Sequence, residues 1–247
     1  MILKDIERQP LEGALNVNTF AVDNDGGIFL RRNPKNNSYV WGFISHEQDF
    51  IGFKDFGGTF RRRTPHEQSS FTLSAARHGL RVLPPSYVDE RGRNYYQFIQ
   101  GVQNLDEFLP EASDEETGTL VYDLFHDLRR AHTHGFVYGD RWSQNILITP
   151  SNGLLHIDFD IEISGPTARE LEVASVAFYT LCAGRERVIP LLSTVLSRKD
   201  IWFEPRVVEH FMMRLATHFQ RHPQYGNAID DTANLIDVTR ALRATIM

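Results

Sequence analysis

The stretches 138-YGDRWSQNILI-148 and 155-LHIDFD-160 decide how this chain is read. Asp140 follows the apolar run Phe136, Val137, Tyr138, which predicts a short buried strand that fixes the next loop and aims a carboxylate into a cleft. Asn145 stands five residues on, and its amide oxygen is a hard, neutral ligand suited to Mg²⁺. Ile146, Leu147 and Ile148 predict a strand, Ser151–Asn152–Gly153 a tight turn, and 154–159 the returning strand. That hairpin carries Asp158 back beside Asn145, although thirteen residues separate them. An acid, an amide and a second acid in this order are what holding a metal–nucleotide and activating a hydroxyl require.

Upstream, Ser113 and Glu116 form a capping box, and Leu120, Val121, Leu124, Leu128 and Ala131 recur at helical spacing on one face. The first hundred residues are instead rich in short β-like runs: 17-VNTFAV-22, 27-GIFLRR-32, 38-SYVWGFI-44, 50-FIGFKDF-56 and 94-NYYQFIQ-100. One helix interrupts them, with Thr64 as cap, Pro65 at the first helical position, Glu67 three residues after the cap and Gly79 at its end. From Ala168 onward the chain reads as mostly helical. The expectation is an α+β fold of two lobes, a β-rich lobe over 1–102 with one main helix and a helical lobe over 103–247, hinged near Gln100–Gly101–Val102.

Composition narrows the function. The chain has 247 residues, 41% hydrophobic and 23% charged, as ordinary globular proteins do. Its net charge of −6 argues against a general nucleic-acid binder, and no nucleic-acid partner is expected. Arg61–Arg62–Arg63 is the local exception and reads as a solvated basic turn. Cys182 is the one cysteine, in an apolar run, and is expected to be an inert packing residue. Neither a membrane-spanning stretch nor a secretory signal core is visible, which fits the cytoplasm or another reducing compartment and leaves signal-independent export open. The histidines show no zinc-like spacing.

Asp140, Asn145 and Asp158–Phe159–Asp160 together resemble the catalytic loop and D-F-G motif of the protein-kinase-like superfamily. The resemblance implies a bilobal kinase-like fold, ATP and Mg²⁺ as cofactors, Asp140 as catalytic base, and Asn145 and Asp158 as metal ligands. It also implies a hinge after the strand at Tyr95, with the backbone around Phe98 and Ile99 against adenine. Ile51–Gly52–Phe53–Lys54 resembles the V-A-I-K strand. That match puts Lys54 on the phosphates, Gly52 against adenine and Glu67 in an ion pair with Lys54. The phosphate-covering loop falls at 33-NPKNNSYV-40, where Asn37 and Ser38 are the candidate donors although the segment has no glycine. Glu170 or Glu172 is placed to brace the catalytic loop or to favour a helix dipole.

The departures refine this reading. Tyr138–Gly139 replaces the usual His–Arg, Asp160 replaces the glycine of D-F-G, and the run from Asp160 to Glu170 is too short for a full activation loop. Arg141 is left to contact phosphate or substrate. These features look closer to small atypical kinases: the RIO type, kinases tied to tRNA modification, lipopolysaccharide-core kinases and aminoglycoside phosphotransferases. The matched motifs span roughly 27–185. The expected activity is γ-phosphate transfer from ATP to a hydroxyl, with a narrow lean to a protein Ser/Thr acceptor, including the case of a bacterial effector acting on a host protein. A small-molecule acceptor is the alternative; a pseudokinase binding module and an AMP-transferase are two further readings of the same fold.

Overall fold

A computed structural model describes residues 3–12, 16–35, 42, 49, 51–151, 153–220 and 228–246. The chain begins with four strands, β1 (Lys4–Asp5), β2 (Leu11–Glu12), β3 (Asn16–Val22) and β4 (Ile28–Pro34). β3 and β4 form a hairpin in which Phe20 faces Leu30. Its turn is closed by Asp23, whose carboxylate accepts from the Asp25 and Gly27 N–H groups while Gly26 takes φ +84°.

The next stretch corrects an expectation. Of the run 50-FIGFKDF-56, the described residues 51–56 form no strand; Lys54–Phe56 is a 3₁₀ turn. Gly52 and Gly57 take φ +79° and +74°, and the Gly57 and Gly58 N–H groups bond back to Lys54 and Phe53 carbonyls. The alternating aromatic residues serve the turn instead of a sheet face: Phe53 and Phe56 both pack against the Phe211 ring. The predicted strand at 38–44 falls almost wholly outside the described residues.

β5 (Thr59–Arg62) follows, then α1 (Pro65–Arg77) with the Thr64–Glu67 capping box and Gly79 at φ +70° just beyond it. β6 (Tyr87–Val88) and β7 (Asn94–Gln97) complete the N-terminal antiparallel sheet, whose order is β1-β3-β4-β7-β6 with β2 also paired to β3. Beyond the hinge come β8 (Gln103–Asn104), a single helical turn α2 (Leu105–Phe108) and α3 (Asp114–Thr133). The hairpin β9 (Ile146–Ile148) and β10 (Leu154–His156) pairs through β9 with β8. β11 (Ile161–Ser164) leads to α4 (Ala168–Gly184), α5 (Ile189–Leu196), α6 (Pro205–Phe219) and α7 (Ala228–Ile246).

α4 is apolar nearly all round, from Leu171 to Cys182, so it is buried on every side and the other helices wrap it. Cys182 is buried there, and burial pushes its thiol up to about 12, so it stays protonated and unreactive. Ile51 and Phe53 belong to the same apolar core although they precede the hinge. β5 likewise pairs with β11, Arg62 opposite Ile161 and Thr59 opposite Ser164. The three arginines are therefore no solvated turn: Arg61 bridges Glu67 and Glu162, and Arg63 is buried. Among the described residues, no helix is long and apolar enough to cross a membrane.

The Glu67 carboxylate is held near 2 by the Thr64 N–H and hydroxyl and by Arg61, below the ordinary 4.5. A depressed carboxylate stabilises the fold above its unfolded pKa and loses that contribution as pH falls through the folded value. Glu67→Ala is thus expected to lower the thermal unfolding midpoint at pH 7, with the gap to the parent protein narrowing as pH falls from 5 towards 3. Differential scanning fluorimetry across that range checks it.

Candidate active site

Where the β9–β10 hairpin closes, the Ile157 N–H donates to the Asn145 carbonyl at 3.0 Å. Buried Ile146, Ile148 and Leu154 fix the hairpin register. This bond carries Asp158 back towards Asn145 across the intervening residues. Asn145 Nδ2 donates to the Asp140 carbonyl at 3.1 Å, so the bond uses the amide nitrogen and not the amide oxygen. Asp158 takes φ +57°, a left-handed conformation that costs a non-glycine residue about 1–2 kcal/mol. Arg141 offsets that strain from below: its guanidinium is wholly buried and donates to the Ile157 and Asp158 carbonyls at 3.1 and 2.7 Å. Arg141 therefore points into the protein, away from any phosphate or substrate.

Above the hairpin lies a cavity of about 250 Å³. Leu11 and Leu30 line it from the sheet and Leu147 and Ile157 from the hairpin, with Leu83, Tyr96 and the hinge residues Gln97, Phe98, Ile99 and Val102 completing an apolar slot. Its polar end is formed by Asn18, Arg32 and Asp158. The Phe98 N–H is already bonded to the Ile28 carbonyl.

The acids at this end differ in charge state. Burial raises the Asp158 carboxyl, but Arg32 at 2.6 Å outweighs it and draws the group below the usual carboxylate range. Asp160 goes the other way, lifted by burial and by the neighbouring Asp158 charge. Asp140 is partly exposed, and its carboxyl is pushed up to about 7, first by burial and then by Asp158 and Asp160, against the pull of Arg141.

The catalytic loop is braced from α4. Glu172 is fully buried and accepts the Gly139 N–H at 2.8 Å and His132 Nε2 at 2.6 Å. The Trp202 indole donates to His132 Nδ1 at 2.8 Å, which leaves the ring proton on Nε2 and makes it the donor to Glu172. Glu170 instead accepts the Glu204 N–H. Gly139, at φ +102°, lies so close to β11 that a Cβ there would stand 2.0 Å from the Ile161 carbonyl oxygen. Close passage of the two backbones explains why a glycine precedes Asp140.

Several expected site residues lie elsewhere. Lys54 is half exposed on its 3₁₀ turn and pairs with Asp49 at 2.5 Å, outside the slot. Gly52 lies beside α6, so it cannot face adenine. Glu67 caps α1 and bonds Arg61, and no Lys54–Glu67 pair forms. Asn37 and Ser38 lie outside the described residues, but β4 already runs through Pro34. The strands at the rim of the slot are β2 and β3, carrying Leu11 and Asn18. Sequence reasoning missed Arg32. The signal was the alternation in 28-IFLRR-32, which puts a cation on the same strand face as Leu30.

Asp158 and Asn145 offer hard oxygen donors of the type Mg²⁺ takes, with remaining positions left for water and phosphate, so these residues fit that ion. Among the described residues, no cluster of three or more His, Cys, Asp or Glu is arranged to hold a metal.

No protein-family model matches this chain, and no curated protein is similar to it in sequence. Solved structures are similar in fold. Rio2 kinase from Chaetomium thermophilum, in its ADP/Mg²⁺–phosphoaspartate complex, superposes with a TM-score of 0.53 at 13% identity, over 95% of this chain and 72% of that one. A second structure of the same kinase gives 0.55 at 12% identity, over 94% and 72%. The chain has a protein-kinase-like fold.

Glu172→Leu removes the acceptor of two buried donors and is expected to destabilise the protein by about 2–4 kcal/mol. Urea unfolding at pH 7 measures it.

Proposed function

We propose that this protein is an ATP- and Mg²⁺-dependent phosphotransferase that moves the γ-phosphate to a hydroxyl. The observation that carries the reading is an apolar slot open to the hinge with Asp158 at its polar end, next to a loop in which Asn145 bonds the Asp140 carbonyl and the Asp140 carboxyl feels the Asp158 charge. Adenine fits between Leu30 and Leu147, against the backbone of Phe98 and Ile99. Asn145 and Asp158 would hold Mg²⁺, which would supply positive charge against the phosphate oxygens. The Rio2 kinase complex contains ADP and Mg²⁺ in the same fold, which supports these two as the cofactors here. Asp140 orients the acceptor hydroxyl and takes its proton; a carboxyl raised towards neutrality is a stronger base than an ordinary one.

Two observations bear on the acceptor. One edge of β11 is occupied in cis by β5, so an extended peptide cannot add a strand on that edge. The hollow beside Asp140 is only about 30 Å³ and is walled by Ile51, Trp142, Tyr179 and Leu215, room for a single hydroxyl group. Both fit a hydroxyl presented singly, by a small compound or by a side chain protruding from a folded surface. A protein Ser/Thr acceptor of that protruding kind is the second reading.

Incubation with α- or γ-labelled ATP and Mg²⁺ tests the reaction: label should move from the γ position alone, whereas transfer of α-label would mean AMP transfer. Asp158→Ala should abolish transfer, and Asp140→Ala should slow it about 10²–10⁴-fold, both with parental circular dichroism. Near-parental transfer by either variant would overturn the assignment, and nucleotide binding without turnover on a broad acceptor panel would mark a binding module.

A further inference from the structure

A kinase slot needs a fixed cation at its phosphate end, and neither Lys54 nor any other lysine lines this one. Arg32 does. On β4 it follows Leu30 by two residues, so the strand that covers the adenine end of the slot delivers a guanidinium to the Asp158 end. That guanidinium lies 2.6 Å from Asp158 Oδ1 and 2.7 Å from Asp160 Oδ1.

The two carboxylates are held differently. Asp158 is one-third exposed and faces the cavity. Asp160 is 2% exposed and anchored on its other oxygen by Asn16 Nδ2 at 2.8 Å, with Arg62 at 3.8 Å. Arg32 Nε is buried without a hydrogen-bond partner, so the guanidinium has a donor in reserve. α1 supplies no acid to it: Glu67 is bound to Arg61, and the buried polar residues of that helix are Gln68, Ser69 and Thr72.

We propose that Arg32 is the cation that receives the nucleotide phosphates, and that Asp160, where this fold usually has a glycine, is the positioning residue that holds it. This rests on the phosphotransferase reading. The Asp158 contact is the exchangeable one, given up when Asp158 takes the metal. The Asp160 contact persists and keeps the planar fork aimed along the slot. An arginine suits the position because its fork serves two partners at once, which the point charge of a lysine does not.

Binding of ATP, ADP and adenosine in the presence of Mg²⁺, followed by calorimetry, tests the assignment. Arg32→Met should weaken ATP about 10- to 100-fold and leave adenosine unchanged. Asp160→Asn should weaken ATP in the same direction, and in the double variant the second change should add little, because Asp160 acts through Arg32. A merely structural Asp160 would give additive losses. Lys54→Met and Glu67→Gln should stay within about twofold of the parent, since neither residue reaches the slot. If Arg32→Met does not fold because two buried acids lose their counter-charge, the Arg32→Met/Asp160→Asn protein removes one acid with the cation and carries the same ATP-against-adenosine comparison. Parental ATP affinity in the Arg32 variants, or its loss in Lys54→Met, would overturn this inference alone. Failure of the parent protein to bind ATP with Mg²⁺ would overturn the phosphotransferase reading and this inference together.

Discussion

The guanidinium of Arg63 joins three pieces of backbone that the site needs in register. Its Nη1, with two N–H bonds, is shared among the carbonyls of Tyr138 before Asp140, Phe159 after Asp158 and Ile161 at the start of β11, and the guanidinium lies 4.2 Å over the ring of Phe71 on α1. Burial lowers its pKa to about 10, which leaves it charged at neutral pH. Charge-assisted bonds of this kind are each about twice as strong as neutral ones. Three converging on one planar group fix the spacing of the loops more tightly than any one contact would. Arg63 enters from the N-terminal side of the chain, directly after β5.

Around that contact the site alternates buried cations and buried acids. Arg141 supports Asp158 from beneath through main-chain carbonyls, Arg32 meets the carboxylates of Asp158 and Asp160 from above, and Glu172 ties the catalytic loop to α4. Arg32, Asp158, Asp160 and Glu172 are each compensated locally, as burial demands. Asp158 is thereby kept ionised while Asp140, with no ion-pairing partner this close among the described residues, is lifted towards neutrality. Neighbouring carboxylates are so pushed apart by their surroundings.

The segment joining β4 to α1 gives the molecule its particular shape. Its described part does not stay with the sheet: Phe53 and Phe56 pack on α6, β5 adds to β11, and Gly57 lies so close to Gly165 that a Cβ on the latter would stand 2.7 Å from the Gly57 carbonyl oxygen. The described part of this segment thus forms part of the wall beside Asp140 and covers one edge of β11 that would otherwise be open to added strands.

Elements whose signals are local were readable from the sequence. The caps at Thr64 and Ser113, the apolar face of α3, the β9–β10 hairpin and the order Asp140, Asn145, Asp158 all depend on neighbours a few residues apart or on a tight turn. What failed depended on partners far along the chain. The run 50-FIGFKDF-56 has strand-like alternation, but two glycines at positive φ and an aromatic surface on α6 turned it into a 3₁₀ bend, taking Lys54 and Gly52 away from the slot. Arg61–Arg62–Arg63 looked like a solvated run because the carbonyls and acids that bind it lie about 75 to 100 residues later. The sequence by itself determined the fold class and the β9–β10 hairpin with its flanking polar residues, since helix periodicity, caps and turn chemistry are short-range. Only the tertiary structure decided which cation meets Asp158 and which acid braces the loop before Asn145, because a buried charge takes whichever partner the packing brings to it.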